Sequence, residues 1–315
     1  MARANLGNGA ANTVTLDHSL RMRTRDIVLA LIVVAIWGFN FVVIQIGLLD
    51  LPPLLFTSLR FFFAAVPLVF FVRRPEIPLH LLMGWGLAQF ALQFSLLFVG
   101  MKLGMPAGLS SLVIQLQAFF TIALAWWFLH EHARAGQLIG AGIALSGMGI
   151  VAWHLDTRST LIGLLLVVGA GLSWAMANIL SKRMGRVQPL ALAVWGSFIA
   201  VPPLFMASTL IEGPHVIWHA LKALTVESSL AVLFQSYPNT LLGFGVWSML
   251  MRRYPAAQVA PFSLLVPVAG MLSASVVLHE PLQAWKVAAG ALVLGGLAVN
   301  QFAGGLRVLL RRVFS

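Results

Sequence analysis

The sequence predicts an all-α polytopic membrane protein: ten transmembrane helices forming two inverted five-helix repeats, with both termini in the cytoplasm (N-in/C-in). Three observations lead there. Hydrophobic residues fill 60% of the 315 positions and charged residues only 9%, against about 25% charged in soluble domains. Apolar runs long enough to cross a bilayer recur along the whole chain. The chain also resembles itself at a separation of 149 residues, where "FLHEH" at 128–132 is answered by "VLHEP" at 277–281.

The elements follow in order. Residues 1–24 are polar and rich in Asn, Ala and Gly, the composition of a disordered tail, with Met22 as an alternative start. A helix of about 20 apolar residues spans the hydrocarbon core. Such runs fall at about 27–49, 54–72, 79–101, 107–129 and 136–155 in a first repeat over 25–156. They recur at about 161–181, 189–210, 229–250, 257–278 and 283–303 in a second repeat over 157–303, and a basic tail closes the chain at 304–315. The first run is too long for a signal-peptide core and lacks a small-residue cleavage site, so it is read as a retained span. The longest linker, around 211–228, leaves no room for an extramembrane domain.

Charge sets the orientation. The excess of 20 basic over 9 acidic residues lies in the gaps between runs, where the bilayer explains it and nucleic acid is not needed. With the N-terminus inside, fifteen Lys and Arg fall on the cytoplasmic side and four, Lys102, Arg158, Lys222 and Lys286, on the other. The absence of Cys excludes disulfides, thiolate metal sites and a Cys nucleophile. No G-x-S-x-G, H-E-x-x-H or phosphate-binding loop occurs, so no enzyme activity, metal or cofactor is expected.

The repeat explains the doubled triplet. Residues 105–131 align without a gap on 254–280, with Pro106 on Pro255, Ala107 on Ala256 and Leu129-His130-Glu131 on Leu278-His279-Glu280. A fainter echo pairs "IWGFN" at 36–40 with "SWAMAN" at 173–178. Five spans per half is an odd number, so the second half enters from the opposite side. Glu131 then lies at the cytoplasmic face and Glu280 at the external face. Both are read as structural, hydrated stops that fix the turns into spans five and ten; a gate or proton acceptor at a pathway mouth is the alternative.

Polar residues at mid-depth are the candidates for function, because each needs a hydrogen-bond partner there. They are Trp37 and Asn40 in span one; Gln89 and Gln93 in span three; Gln115, Gln117 and Thr121 in span four; Trp174 and Asn178 in span six; Asn239 and Trp247 in span eight; and Ser263 in span nine. Gln117 and Thr121, four apart, can share a face that Gln115 cannot. Singly, such residues commonly serve as interhelical hydrogen bonds. Drawn from both halves at one depth, they suit a central binding site. No Asp or Glu lies at mid-depth. The charges nearest the pathway are basic: Arg60 in the first turns of span two and Lys182 at the inner end of span six. Snorkelling is the reading preferred for Lys182; attraction of a substrate carboxylate is the alternative for either.

Pro261 and Pro267 free backbone carbonyls in span nine, a structural break suited to lining a cavity. "GQLIGAGIALSGMG" at 136–149 and "GALVLGG" at 290–296 carry small residues at close-packing spacing, which makes spans five and ten packing faces or the faces of a homodimer.

"WGFNFVVIQIGL", "LRFFFAAVP", "GMPAGLSSLVIQLQAFFTI", "LSWAMANILSKR" and "RYPAAQVAPFSLLVPVAG", in that order, resemble the EamA family of the drug/metabolite transporter superfamily over roughly residues 22–302. Within it the chain looks most like the bacterial O-acetylserine/cysteine exporters, although Gln45 stands where their pattern has Lys. The resemblance implies a multi-pass carrier of the bacterial inner membrane, whose partners are the lipid bilayer and a small-molecule substrate. It would work by alternating access, exporting cysteine, O-acetylserine or related amino acids through a cavity lined by spans one, three, four, six, eight and nine. Asn40, Gln93, Gln117 and Asn178 would then hydrogen-bond a zwitterion, with Trp37, Trp174 and Trp247 as its apolar wall. An exporter of bulkier aromatic or drug-like solutes is the alternative within that class; a lipid-handling protein or a channel is the alternative outside it.

Overall fold

The computed structural model describes residues 22–155 and 159–313, with side chains at all of these except 256–257 and 302–313. Most of the expected N-terminal tail, and the joint between the expected repeats at 156–158, lie outside the described residues. Among those described, regular structure is helical throughout. The helices are α1 Thr24–Asp50, α2 Pro53–Phe70, α3 Leu79–Lys102, α4 Ala107–Leu129, α5 Ala135–Trp153, α6 Leu161–Met184, α7 Pro189–Glu212, α8 Pro214–Lys222, α9 Val226–Arg253, α10 Ala260–Val277 and α11 Ala284–Val313.

Eight of these, α1 to α7 and α10, are each long and apolar enough to cross a membrane, and α8 with α9 makes a ninth if that pair, bent by 105°, is one span. The run expected at 283–303 is helical and lies within α11. Helix also occupies two regions outside the expected runs. The linker around 211–228 holds α8, which starts on Pro214 after a positive-φ Gly213, the sequence signal of a helix N-terminus. The tail expected from residue 304 is a continuation of α11, helical to Val313.

Helix association in lipid relies on close packing and polar contacts, because the outer surface is as apolar as the inner one. Trp126, Trp127, Leu138, Ile139 and Leu145 accordingly stand exposed on α4 and α5. Helix α1 packs on α9 and α10, and α6 packs on α3 and α4; α2 meets α7, α4 meets α10, and α5 meets α11. The small-residue stripes of α5 and α11 are used within the chain: the backbone carbonyls of Gly140 and Gly296 each fill the space a Cβ on the other would need.

Both Leu-His-Glu triplets end a helix in the same way. His130 and His279 take left-handed φ values of 54° and 55°, and the Glu131 and Glu280 amides donate to Ala125 O and Ala274 O, each at 3.2 Å. This is a left-handed C-terminal cap, with His in a place more often held by Gly or Asn. The interior breaks also correspond. Helices α3 and α9 contain π-helical stretches at Leu87–Leu92 and Gln235–Leu242, and 3-10 turns occur at Ile114–Leu116 in α4 and Ala260–Leu264 at the start of α10.

Candidate functional site

The densest buried polar group lies where α1, α2 and α9 meet, and Pro238 accounts for its form. A proline inside a helix has no N–H to give the carbonyl four residues back, and here the backbone widens into the π stretch Gln235–Leu242. Hydroxyls within it satisfy carbonyls locally: Thr240 Oγ1 donates to Gln235 O at 2.8 Å and Ser236 Oγ to Val232 O at 2.7 Å. Ser236 Oγ also lies 2.9 Å from Arg60 O on α2. The amides of the same stretch face α1. Gln235 Nε2 donates to Asn40 O at 3.3 Å, Asn239 Nδ2 to Gln235 Oε1 at 3.4 Å, and Trp37 Nε1 to Asn239 O at 3.2 Å. Trp37 fits because Gly243 has no Cβ, which would lie 2.5 Å from its ring nitrogen. Trp247 flanks it, with ring centroids 5.1 Å apart.

Arg60, named from sequence as a charge near the pathway, completes this group. It lies midway along the α-helical part of α2, Pro53–Ala65, at 1% exposure, so its side chain does not reach out to a headgroup. Thr240 Oγ1 accepts from Arg60 Nη2 at 3.0 Å. The rings of Phe94, Phe61 and Phe98 lie 4.1, 4.7 and 5.7 Å from the guanidinium carbon, a cation–π arrangement worth most when desolvated. Arg60 Nε and Nη1, Asn40 Oδ1 and Asn239 Oδ1 are buried without hydrogen-bond partners.

A second polar group joins α4 to α6. Asn178 Nδ2 donates to Gln117 Oε1 at 2.9 Å and to Thr121 Oγ1 at 3.0 Å, while Thr121 Oγ1 donates to Gln117 O at 2.7 Å. One turn further along α6, Lys182 forms a 2.7 Å ion pair with Glu131, the two side chains 46% and 53% exposed. Lys182 is therefore tied to a carboxylate at a half-exposed position.

The remaining candidates are dispersed. Gln93 accepts from Gln89 Nε2 at 2.7 Å within α3, and both are buried. Gln115 is buried in the 3-10 turn of α4, Trp174 packs half-buried against the core, and Ser263 Oγ donates to Ala260 O in its own turn at 2.7 Å. Pro261 lies in the 3-10 turn that opens α10, and Pro267 is buried in α10 with its carbonyl 3.4 Å from Ser111 Oγ. An apolar groove between α4 and α5, lined by Phe119, Ile122, Trp126, His132 and Leu138, lies apart from the α1/α2/α9 polar group.

Glu280 reaches the N-terminus of α4, accepting from Ala107 N at 2.9 Å and Gly108 N at 3.2 Å. Glu212, not singled out from sequence, does the same for α2 through Leu54 N at 2.6 Å and Leu55 N at 3.0 Å. A carboxylate on the free N–H groups of a helix start satisfies orphan donors and opposes the helix dipole. Asp26, also missed, is buried at the start of α1 against Tyr254 at 2.6 Å and Arg253 at 3.0 Å. Gln235, Ser236 and Thr240 were likewise not singled out; the polar "QSYPNT" bracketing Pro238 inside an apolar run is the signal that marks them.

A family model described as the EamA-like transporter family matches the chain twice, over residues 24–153 and 161–301. A protein of Salmonella typhimurium named "Probable amino-acid metabolite efflux pump" is 42% identical over 293 residues, covering 91% of this chain and 97% of that protein. An Escherichia coli protein of the same name is 40% identical over 294 residues, with 91% and 97% covered. A "Probable terminal-alkyne amino-acid exporter" of Streptantibioticus cattleyicolor is 26% identical over 291 residues, with 88% and 93% covered. A solved crystal structure superposes at a TM-score of 0.61 with 19% identity, over 93% of this chain and 100% of the other, a likeness of fold. With apolar helices fit to cross a bilayer along its length and two matches to one transporter model, the chain is a multi-pass membrane protein that belongs to the EamA-like transporter family.

Proposed function

We propose that the protein exports small amino-acid-like metabolites across the bacterial inner membrane by alternating access, with cysteine, O-acetylserine or related amino acids as substrates. The observation that carries this reading is the 42% identity along 97% of a relative named an amino-acid metabolite efflux pump. The site would be built from polar groups of both halves. Asn40, Gln93, Gln115 and Ser263 would hydrogen-bond the solute, with Gln117, Thr121 and Asn178 bracing α4 against α6 beside it, Trp37, Trp174 and Trp247 as apolar wall and Arg60 and Lys182 as the nearby charges. A mostly apolar pocket with a few placed polar or charged groups is how such a site fixes a small solute.

The topology proposed is ten spans, with α8 outside the membrane plane of the bundle, in two inverted repeats with both ends cytoplasmic. Support comes from the fifteen-to-four asymmetry of basic residues. It comes also from packing, since exchanging α1–α5 for α6, α7, α9, α10 and α11 turns each principal helix contact into another. A pseudo-two-fold relation has that property.

Purified full-length protein in proteoliposomes, tested for counterflow of radiolabelled amino acids at several imposed pH gradients, should show saturable exchange of cysteine or a related amino acid. Failure of every amino acid at every gradient rejects the reading. Because the chain has no Cys, single Cys residues at 131 and 280 report topology directly. They should label from opposite compartments, and labelling from the same one rejects the inverted arrangement.

A further inference from the structure

We propose that Arg60 binds the substrate carboxylate and that Asn40 Oδ1 and Asn239 Oδ1 accept hydrogen bonds from the substrate ammonium, so that the α1/α2/α9 network selects zwitterionic α-amino acids. This rests on the exporter reading and gives its site a chemical class.

The argument begins with what the network leaves unmade. A buried arginine is normally paired with an acid, because an uncompensated charge in a low-dielectric interior is costly. Among the described residues no carboxylate pairs with Arg60. Thr240 is its hydrogen-bond partner, and the three Phe rings stabilise its charge without accepting hydrogen bonds as a carboxylate would. Nε and Nη1 remain as charged donors pointing at no acceptor, and the planar guanidinium fork matches the geometry of a carboxylate.

The complementary acceptors lie in the same network. Asn40 Oδ1 and Asn239 Oδ1 are acceptors without donors, on residues 6% and 5% exposed. Their residues are tied to Arg60 by hydrogen bonds that leave both side-chain oxygens free: Arg60 to Thr240, Thr240 to the backbone carbonyl of Gln235, and the Gln235 side chain to the backbone carbonyl of Asn40 and the Asn239 amide nitrogen. Free cationic donors at one end and free neutral acceptors at the other are what an α-amino acid offers to satisfy together. A monocarboxylate would satisfy only the first set and an amine only the second. An orphaned buried polar group costs the desolvation of that group, so a solute meeting both sets gains twice over one meeting either.

The α4/α6 group contrasts with this, because Asn178 has already taken the oxygens of Gln117 and Thr121 as partners. The π stretch of α9 carries Gln235, Asn239 and Thr240 together.

The test compares amino acids with analogues that lack one charge, in detergent-solubilised full-length protein by thermal shift and in proteoliposomes by inhibition of counterflow. The probes are cysteine, leucine and phenylalanine, their carboxamides, and 3-mercaptopropionate. A site built to bond a substrate group discriminates strongly against an analogue without it. At least one acid should act at concentrations about tenfold or more below its amide, and 3-mercaptopropionate should be weaker than cysteine if cysteine is that acid. In Arg60→Gln the acid-to-amide ratio should fall close to one, and Arg60→Lys should restore part of it.

An amide as effective as its acid in the wild type overturns the assignment even if every Arg60 variant fails to fold. So does a folded Arg60→Gln protein with an unchanged ratio. Counterflow with a flat ranking leaves the exporter reading and removes the subsite; the expected ranking in thermal shift without counterflow does the reverse. No shift from any of the acids overturns the subsite outright.

Discussion

Asn40 and Asn178 close two similar runs, "IWGFN" and "SWAMAN", yet the folded chain gives them opposite environments. Asn178 spends its amide hydrogens on Gln117 and Thr121 and lies half-buried between α4 and α6. Asn40 is buried, offers only its backbone carbonyl to Gln235, and keeps its side-chain oxygen without a partner. The matching glutamates differ too. Glu280 holds two backbone N–H groups at the start of α4, whereas Glu131 meets a half-exposed lysine. Sequence symmetry therefore places residues without fixing what they bond to. A saturated polar group points to architecture, whereas an unsaturated one keeps capacity for a partner from outside the chain, water or solute.

Asn40→Ala should break the comparison most visibly. Its side-chain oxygen contributes no hydrogen bond in the protein alone, so removing it should leave the melting temperature close to wild type. A hydrogen bond to a charged group contributes about 1.5–3 kcal/mol. Its loss should therefore lower substrate affinity in proteoliposome transport by about 10- to 100-fold. Unchanged transport would take Asn40 out of the site.

The next effect is on stability. Glu280→Gln removes the charge from two hydrogen bonds at a helix N-terminus, where a lost cap costs about 1 kcal/mol and charge-assisted bonds about twice that of neutral ones. It should lower the thermal midpoint in detergent and the yield of folded protein, with the transport rate per folded molecule retained. Selective loss of transport at normal yield would make Glu280 part of the pathway instead.

Much of this molecule was legible before folding. The apolar runs located the helices, and the triplet at 128–132 and 277–281 located two matching helix ends, because both signals are local in sequence. The small residues of α5 and α11 announced a close contact and the structure supplies its partner, Gly140 against Gly296. Arg60 was legible as a charge near the pathway, but its surroundings were not: only the Phe94 and Phe98 rings of α3 and Thr240 of α9 show that it is enclosed. Glu212 and Asp26 escaped for a related reason. Their partners, Leu54 and Arg253, lie 158 and 227 residues away in sequence, and no periodicity records such a pairing.

Asn178→Ala sharpens the contrast with Asn40 at smaller amplitude. It removes two hydrogen bonds between α4 and α6, and such bonds between membrane helices average about 0.6 kcal/mol each. A loss of about 1 kcal/mol in stability, with transport reduced only a few-fold, is the expected signature of a satisfied structural group. A transport defect as large as that of Asn40→Ala, in protein of wild-type stability, would place the solute in both polar groups and erase the distinction drawn here.

Glu131→Gln should do least. Its partner Lys182 and Glu131 itself are each about half exposed, and exposed ion pairs contribute about 0.2–1 kcal/mol, screened further by salt. Thermal midpoints of Glu131→Gln and Glu280→Gln measured side by side at low and high salt separate the two uses of one sequence triplet. The Glu131 variant should differ from wild type slightly and only at low salt, since screening already weakens the pair at high salt. The Glu280 variant should stay destabilised at both, because its partners are backbone amides held 2.9 and 3.2 Å away at a helix start. Equal, salt-independent losses would mean that Glu131 also caps a helix, and that the two halves are closer in their bonding than Asn40 and Asn178 suggest.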